Sequence, residues 1–363
     1  MRVAVRVDAT ARIGSGHLMR CLTLADTLRS QQGAEVHFLC RPGAAHLLEL
    51  VTARGHALHL FDAPDTPHGE PDRLAHADWL GISQAADLAA CLPTLQALSP
   101  DWLIVDHYAV DRRWQTPARG CGARILVIDD LADRVHDCDI LLDQNFYHDA
   151  THRYDALTPT RCKRLLGPSH ALLRPEFAAA RQDAAPRAGD VRRALVFFGS
   201  FDPRDLASLG LEALCRTRRP SLAVDLVIGQ DHPRAAELAQ RCEGLPDVRL
   251  HRQVSTMAHL MLAADIAIGA GGSTTLERCY LGLPTLAVDV ADNQRAMLHD
   301  LHAAGAVVYL GSGGTLTVPV LAAAIDRLID DAPARERISM RGMALVADGR
   351  LDLLKHMTGS PHA

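Results

Sequence analysis

Val3-Ala4-Val5-Arg6-Val7, then Gly14-Ser15-Gly16-His17, then the apolar-rich run from Leu18 to Leu28: this opening stretch reads as a strand, a tight turn and a helix. Such a unit is the building block of a parallel α/β sheet. Gly14 and Gly16 let the backbone turn sharply beside a ligand, and the unpaired amides of a helix N-terminus attract anions and disfavour a protonated imidazole. His17 is therefore a candidate general base, expected to be neutral. The same residues also suit an ordinary strand-to-helix turn, and the chain has 19 histidines to place. A dinucleotide fingerprint is a poor fit, because Met19 stands where its third glycine belongs.

Outward from this unit the pattern repeats. Apolar runs at Glu35–Leu39, Trp102–Val105, Arg124–Ile128 and Ile140–Leu142 alternate with helix-length segments, and their near-continuous apolar character predicts strands covered on both faces. A polar stretch over 181–191 reads as a linker. A second set follows, with strands expected at Ala194–Phe198, Ala223–Ile228, Val248–Leu250, Asp265–Ile268 and Thr285–Val288. The expected architecture is α/β, with two Rossmann-like domains over 1–180 and 192–358 and a disordered tail over 359–363. Ligands of such sheets lie beyond the carboxyl ends of the strands, so a cleft between two facing domains is the expected site.

Composition narrows the partners. The chain has 363 residues, 48% of them hydrophobic, enough for two domains with sizeable cores, and its net charge of -5 gives no basic field for nucleic acid or an anionic membrane. Nine scattered cysteines, with no C-x-x-C pair, suit small buried thiols in a reducing cytoplasm. The N-terminus does not resemble a signal peptide, and no apolar run approaches membrane-spanning length. The oligomeric state is left open, a monomer included.

In the second half, Gly269-Ala270-Gly271-Gly272-Ser273-Thr274-Thr275-Leu276-Glu277 follows a strand and opens a helix, so its amides and hydroxyls suit a diphosphate. Thr274-x-x-Glu277 is also a capping box, which accounts for Glu277 with no ligand at all. The loop lacks the Gly-Lys-Ser/Thr ending of a P-loop, which argues against ATP hydrolysis. Asp292-Asn293-Gln294 can close over a nucleotide or merely cap a helix. Gly199-Ser200-Phe201-Asp202-Pro203 is a further phosphate-facing candidate.

Taken together, these residues resemble the UDP-2,4-diacetamido-2,4,6-trideoxy-β-L-altropyranose hydrolases of pseudaminic acid biosynthesis. The resemblance rests on Arg6-Val7-Asp8, Ile13 to Arg20, Val105-Asp106-His107-Tyr108, Ile128-Asp129-Asp130, Cys138 to Leu142 with Asn145, and Ala171 to Phe177. It continues through Gly272-Ser273, Glu277 and Asn293-Gln294, in order over roughly residues 2 to 300. It implies the GT-B fold of nucleotide-sugar glycosyltransferases, with UDP on the C-terminal half, Glu277 on the ribose hydroxyls and Gly272-Ser273 on the diphosphate. It also implies hydrolysis at the anomeric carbon with inversion, His17 being the base that takes a proton from water. The free sugar would feed nonulosonic acids such as those of flagellin glycosylation.

The resemblance further makes Gly14, Ser15, Gly16, Asp106, Tyr108, Arg174, Asn293 and Gln294 substrate-site candidates. Arg174 either binds substrate or locks the halves together through an ion pair, and His107 should alternate away from the site if its strand continues. The UDP leaving group is a weak base that amides and helix termini can stabilise, so no cofactor and no obligatory metal are expected, and no Asp-x-Asp cluster is placed like a metal-diphosphate bridge. Two departures stand out: Gly199-Ser200-Phe201-Asp202 where two glycines are usual, and Asp143 where asparagine is usual, since a carboxylate near a diphosphate would repel it. The competing readings are a GT-B glycosyltransferase with a UDP-amino sugar donor, and a UDP-sugar-binding regulator that would have no need of His17.

Overall fold

The computed structural model describes residues 1–10, 12–62, 74–218, 221–252, 254 and 256–359, so the expected tail falls outside them beyond Gly359. The chain divides into two compact units. The first comprises Met1–Asn145, Asp149–Leu172 and the segment from Gly349 onward. Its sheet has seven strands: β1 (Arg2–Val7), β2 (Glu35–Cys40), β3 (Ala57–Leu60), β4 (Trp102–Asp106), β5 (Arg124–Ile128), β6 (Ile140–Asp143) and β7 (Lys163–Leu166). They are parallel throughout, in the order β3-β2-β1-β4-β5-β6-β7.

The apolar runs of the central strands bury both faces, and all five residues of β4 are buried. On one side Leu103, Val105, Ile125 and Leu141 pack with Leu88 and Leu95 of helix Gln84–Leu98 and with Trp114. Each such side chain contributes about 1.5–3 kcal/mol of hydrophobic stabilisation. Arg6, the penultimate residue of β1, breaks the apolar pattern and is fully buried. It is matched by two carboxylates, donating to Asp8 Oδ1 at 2.6 Å and to Asp87 Oδ1 at 3.1 Å, while Trp114 Nε1 donates to Asp87 at 2.8 Å. A buried cation held by two anions in this way is satisfied within the core.

The second unit comprises Phe146–His148 and Leu173–Asp348. Its strands are β8 (Arg193–Phe197), β9 (Ala223–Ile228), β10 (Val248–Arg252), β11 (Ile266–Ala270), β12 (Thr285–Asp289) and β13 (Val308–Ser312). They form a parallel sheet in the order β10-β9-β8-β11-β12-β13. One face packs Val196, Leu226 and Ile268 against Leu211 of helix Leu206–Cys215 and Leu321 and Ile325 of helix Val318–Asp330. Among the described residues no helix is long and apolar enough to cross a membrane.

The boundaries differ from those expected at 180 and 192. The break falls after Leu172, because the polar stretch read as a linker is tied to the second unit. Arg181 donates to the carbonyl of Met343 at 3.2 Å, Arg187 to those of Ala264 and Leu262 at 3.1 and 2.9 Å, and Arg335 to Gly189 O at 2.6 Å. The last helix, Arg350–Thr358, belongs to the first unit instead of the second. Trp102 Nε1 and Arg124 Nη2 donate to Met357 O at 3.0 and 3.1 Å, and Gly349 N donates to Ala171 O at 2.9 Å.

Candidate functional site

In each sheet the strand order reverses beside the first strand, between β1 and β4 and between β8 and β11. Ligands of open parallel sheets sit outside the carboxyl ends at such a reversal. In the first unit that point is formed by the turn after β1 and the end of β4, where Asp106 pairs in register with Val7. Gly14 has a φ of 84°, a conformation costly for a side-chain-bearing residue, and its N–H donates to Thr10 O at 2.8 Å. Helix Gly16–Gln32 then begins, with Ser15 as N-cap making no side-chain capping bond, so His17 lies in its first turn.

His17 Nδ1 lies 2.6 Å from Asp106 Oδ1. Arg20, one turn along the same helix, donates to both oxygens of Asp106, from Nε at 2.6 Å and Nη2 at 2.7 Å, and its Nη1 reaches Asp130 Oδ2 at 3.3 Å. Burial alone would raise the Asp106 pKa, but Arg20 and His17 hold it well below the usual carboxylate range. An ionised Asp106 has no proton to share, so the 2.6 Å contact needs the imidazole N–H on Nδ1. The 3.2 Å approach of Arg20 Nη2 to Nδ1 is then a near neighbour instead of a hydrogen bond, since that nitrogen has no lone pair to offer. Nε2 is left as the basic nitrogen.

Tyr108 stands edge-on to His17, ring centroids 4.5 Å apart, and its hydroxyl donates to Asp130, which also accepts from Asn145 Nδ2 at 3.0 Å. Trp79 lies against Tyr108 at 5.3 Å and 6.2 Å from His17. His17, Asp106 and Tyr108, all candidates from the sequence, are thus brought together, with Gly14, Ser15 and Gly16 forming the turn beside them. Arg20 and Asp130, which lie in the quoted motifs but were given no site role, and Trp79, which was not noted, join them. The i, i+3 spacing of His17 and Arg20 was a usable signal, whereas a lone tryptophan between loops offers none. His107 faces the other way: its Nδ1 accepts from Ala109 N at 3.1 Å and its Nε2 lies 3.3 Å from Asp8, at an angle too poor for a full hydrogen bond. Strand alternation accounts for this.

Asp143 is buried beside Asp130 and Asp129, with Tyr154 OH 3.1 Å from Oδ2 and Asn145 N donating to Oδ1 at 3.0 Å. Burial, with Asp130 and Asp129 alongside, pushes its carboxyl well above the usual range against the opposing pull of Arg153. The upward shift favours the neutral carboxyl, which has the shape and the donor-acceptor pair of an asparagine, and so weakens the repulsion the sequence suggested. Because its folded pKa is raised, the folded state binds the extra proton, and the stability this adds is lost as pH rises from about 4 through the folded pKa. Asp143→Asn is therefore expected to stabilise the protein progressively more over wild type between pH 5 and pH 8. Urea denaturation at both values tests this, and a pH-independent difference would contradict it.

In the second unit, β11 runs into the Gly271-Gly272 turn and helix Ser273–Tyr280. Gly272 is the N-cap with a φ of 98°, and no side chain caps this helix. The capping-box reading is therefore corrected: Thr274 lies inside the helix, and Glu277 is held by Arg174, which donates from Nε to Oε1 at 3.1 Å and from Nη2 to Oε2 at 3.3 Å. Both residues belong to this unit, so the pair is internal to it instead of a lock between halves. Gln294 packs on the same turn. A Cβ at Gly271 would meet Gln294 Cβ at 3.0 Å, and one at Gly272 would lie 3.7 Å from Gln294 Nε2. Gln294 Oε1 meanwhile accepts from Val290 N at 3.0 Å. Asn293 precedes it in the first turn of helix Asp292–Ala303, which likewise has no side-chain cap.

The Gly199–Pro203 turn is excluded as an anion site by its own carboxylates. Asp202 accepts from Leu206 N at 3.0 Å and Ala207 N at 2.8 Å, and Asp205 from Ser208 N at 3.4 Å, so the helix amides are occupied. Asp202, Asp205 and His232 have metal-ligand spacing. His232 Nδ1, however, accepts from Arg234 N at 3.2 Å, which places the proton on the Nε2 that faces Asp202 at 3.3 Å, and Arg234 holds Asp205 at 2.6 Å. The donor set is spent on capping. Asp137 and Asp139 are likewise engaged, by Arg119 at 3.0 Å each.

No family model matches the chain. Among known proteins it is 31% identical over 187 residues to the spore coat polysaccharide biosynthesis protein SpsG of Bacillus subtilis (strain 168), across 51% of this chain and 54% of that protein, so the match spans about half the relative's length. It is 23% identical over 297 residues to a UDP-2,4-diacetamido-2,4,6-trideoxy-beta-L-altropyranose hydrolase of Campylobacter jejuni subsp. jejuni, across 82% of this chain and 94% of that one. Among solved structures it is similar to spinosyn rhamnosyltransferase SpnG complexed with spinosyn aglycone, with a TM-score of 0.67 at 19% identity over 98% of this chain and 100% of that one. It is also similar to MurG of Acinetobacter baumannii, with a TM-score of 0.64 at 16% identity over 99% of each chain. These likenesses establish the fold as GT-B.

Proposed function

We propose that this protein is a nucleotide-sugar enzyme that hydrolyses a UDP-linked 2,4-diacetamido-2,4,6-trideoxy-β-L-altropyranose to UDP and the free sugar, as a step toward pseudaminic acid. The observation that carries the reading is the His17–Asp106 contact at 2.6 Å, with Asp106 kept ionised by Arg20. A binding protein has no use for an oriented imidazole backed by a buried carboxylate. A hydrolase has one: His17 Nε2 takes the proton as water attacks the anomeric carbon opposite UDP, and Asp106 stabilises the imidazolium that forms. Tyr108 and Asn145, anchored through Asp130, are assigned to the sugar.

The second unit is assigned the nucleotide. Glu277, oriented by Arg174, suits the ribose hydroxyls, and the uncapped amides at Gly272-Ser273, with Asn293 and Gln294 alongside, suit the diphosphate. The resemblance to the Campylobacter jejuni hydrolase supports the choice of sugar and of water as acceptor. The test is incubation of the purified protein with that UDP-sugar in oxygen-18 water, with chelator and no acceptor. Label on the anomeric carbon of the sugar supports hydrolysis by C–O cleavage. Label on UDP means attack at phosphorus and sinks the mechanism. Turnover only when a hydroxyl acceptor is added would make the protein a glycosyltransferase.

A further inference from the structure

Arg278 is a buried guanidinium without an anion of its own. It is 1% exposed, and one terminal nitrogen donates to Ala270 O at 2.6 Å and Thr275 Oγ1 at 3.0 Å. Its Nε is buried with no hydrogen-bond partner, and among the described residues it takes part in no ion pair. The adjacent Glu277 is already engaged by Arg174. Arg6 and Arg20, also buried, each hold two carboxylates. The consequence shows in the proton affinities: those partners raise Arg6 and Arg20, whereas burial pushes Arg278 down to about 10, still a cation at neutral pH.

A cation kept in the interior without a counter-charge is costly, and a hydrophobic residue of similar volume would fill the space at less expense. Its position explains what the charge serves. A Cβ at Gly269 would lie 2.4 Å from Arg278 Nη1, so the guanidinium sits against the end of β11, immediately before the Gly271-Gly272 turn. Helix Ser273–Tyr280, which starts there, has no side-chain cap, whereas the corresponding helix after β8 carries Asp202 and Asp205 on its amides. One helix start holds its own anions. The other has an added positive charge and none.

We propose that Arg278 is a positioning residue whose charge is completed by the diphosphate of a bound nucleotide at the Gly271-Gly272-Ser273 turn. The inference rests on the assignment of UDP to this unit. Arg278 does not touch the ligand; it raises the potential behind the amides that do, in surroundings where such a field is weakly screened.

Two variants separate charge from clamp. Arg278→Gln keeps a donor for Ala270 O and removes the charge; Arg278→Lys keeps the charge and loses the planar fork. By calorimetric titration, Arg278→Gln is expected to weaken UDP and inorganic pyrophosphate by about tenfold or more, leave uridine unchanged and leave Tm unchanged or higher. Arg278→Lys should bind UDP within about threefold of wild type. If Arg278→Gln binds UDP as wild type does, or if Arg278→Lys loses as much affinity as Arg278→Gln, the charge is not what matters and the proposal falls. Wild type that binds pyrophosphate in an Arg278-dependent way but not UDP would overturn the UDP assignment while keeping the anion role. Wild type that binds neither would overturn both.

Discussion

His17→Ala is expected to lower the rate of UDP release by about a thousandfold, the scale of a lost general base, while leaving the fold and the affinity for UDP intact. The fold should survive because Asp106 does not become an orphan. Arg20 still reaches both of its oxygens at 2.6 and 2.7 Å, so the buried carboxylate keeps its counter-charge. What is lost is the edge-on packing against Tyr108 and the contact with Trp79, a change of about 1 kcal/mol by comparison with ordinary substitutions. UDP affinity should hold because Glu277, Arg174 and the Gly272 turn all lie in the other unit. Steady-state turnover of the UDP-sugar beside a calorimetric titration of UDP reads both quantities. A variant that turns over within a few fold of wild type would remove His17 from the chemistry. A variant that also loses UDP would show that the histidine holds the fold or the ligand instead.

How much of this was legible in the sequence depended on how far each element is buried. Ten of the thirteen strands among the described residues were expected near where they lie, and the central ones read as near-continuous apolar runs because both of their faces are covered. The three that were not expected are β3, β7 and β13, and each is an edge strand. Lys163-Arg164-Leu165-Leu166 shows why: an edge strand with solvent beside it has no need of continuous apolar residues, and charges there discourage pairing with another chain. The linker was misread for a related reason. Its polar residues are not solvated but donate to carbonyls of the second unit, a use that composition does not reveal.

The site was legible where chemistry is local in sequence and obscure where it is not. His17 with its glycines is a compact signal, and so is Glu277 after Gly271-Gly272. The reading of Glu277 as a helix cap failed because its actual partner, Arg174, is 103 residues away in the chain. Arg20 reaches Asp130 110 residues along the chain, and Trp79 lies beside His17 from a distant turn, in each case through the fold and not through spacing. Asp143 is the instructive case. Its carboxyl is pushed toward the neutral form in the fold, because burial and two neighbouring carboxyls outweigh Arg153.

Asp106 should prove the residue on which structure and chemistry are most tightly joined. Asp106→Ala is expected to cost about 3–5 kcal/mol of stability, because it leaves buried Arg20 with Asp130 alone, at 3.3 Å, in place of two close contacts. Asp106→Asn is the cleaner probe, since it keeps the shape and removes only the charge. Its carboxamide can donate to His17 Nδ1, which forces the imidazole proton onto Nε2 and leaves no lone pair there to accept from water. Turnover should then fall by about 10²–10⁴-fold, close to the loss from His17→Ala. Because both variants disable one unit, His17→Ala combined with Asp106→Asn should be scarcely slower than either alone. Urea denaturation and turnover of the three variants decide the matter. Full additivity of the two losses would mean that Asp106 serves Arg20 and the fold, not His17, and the buried carboxylate would then have to be read as structural.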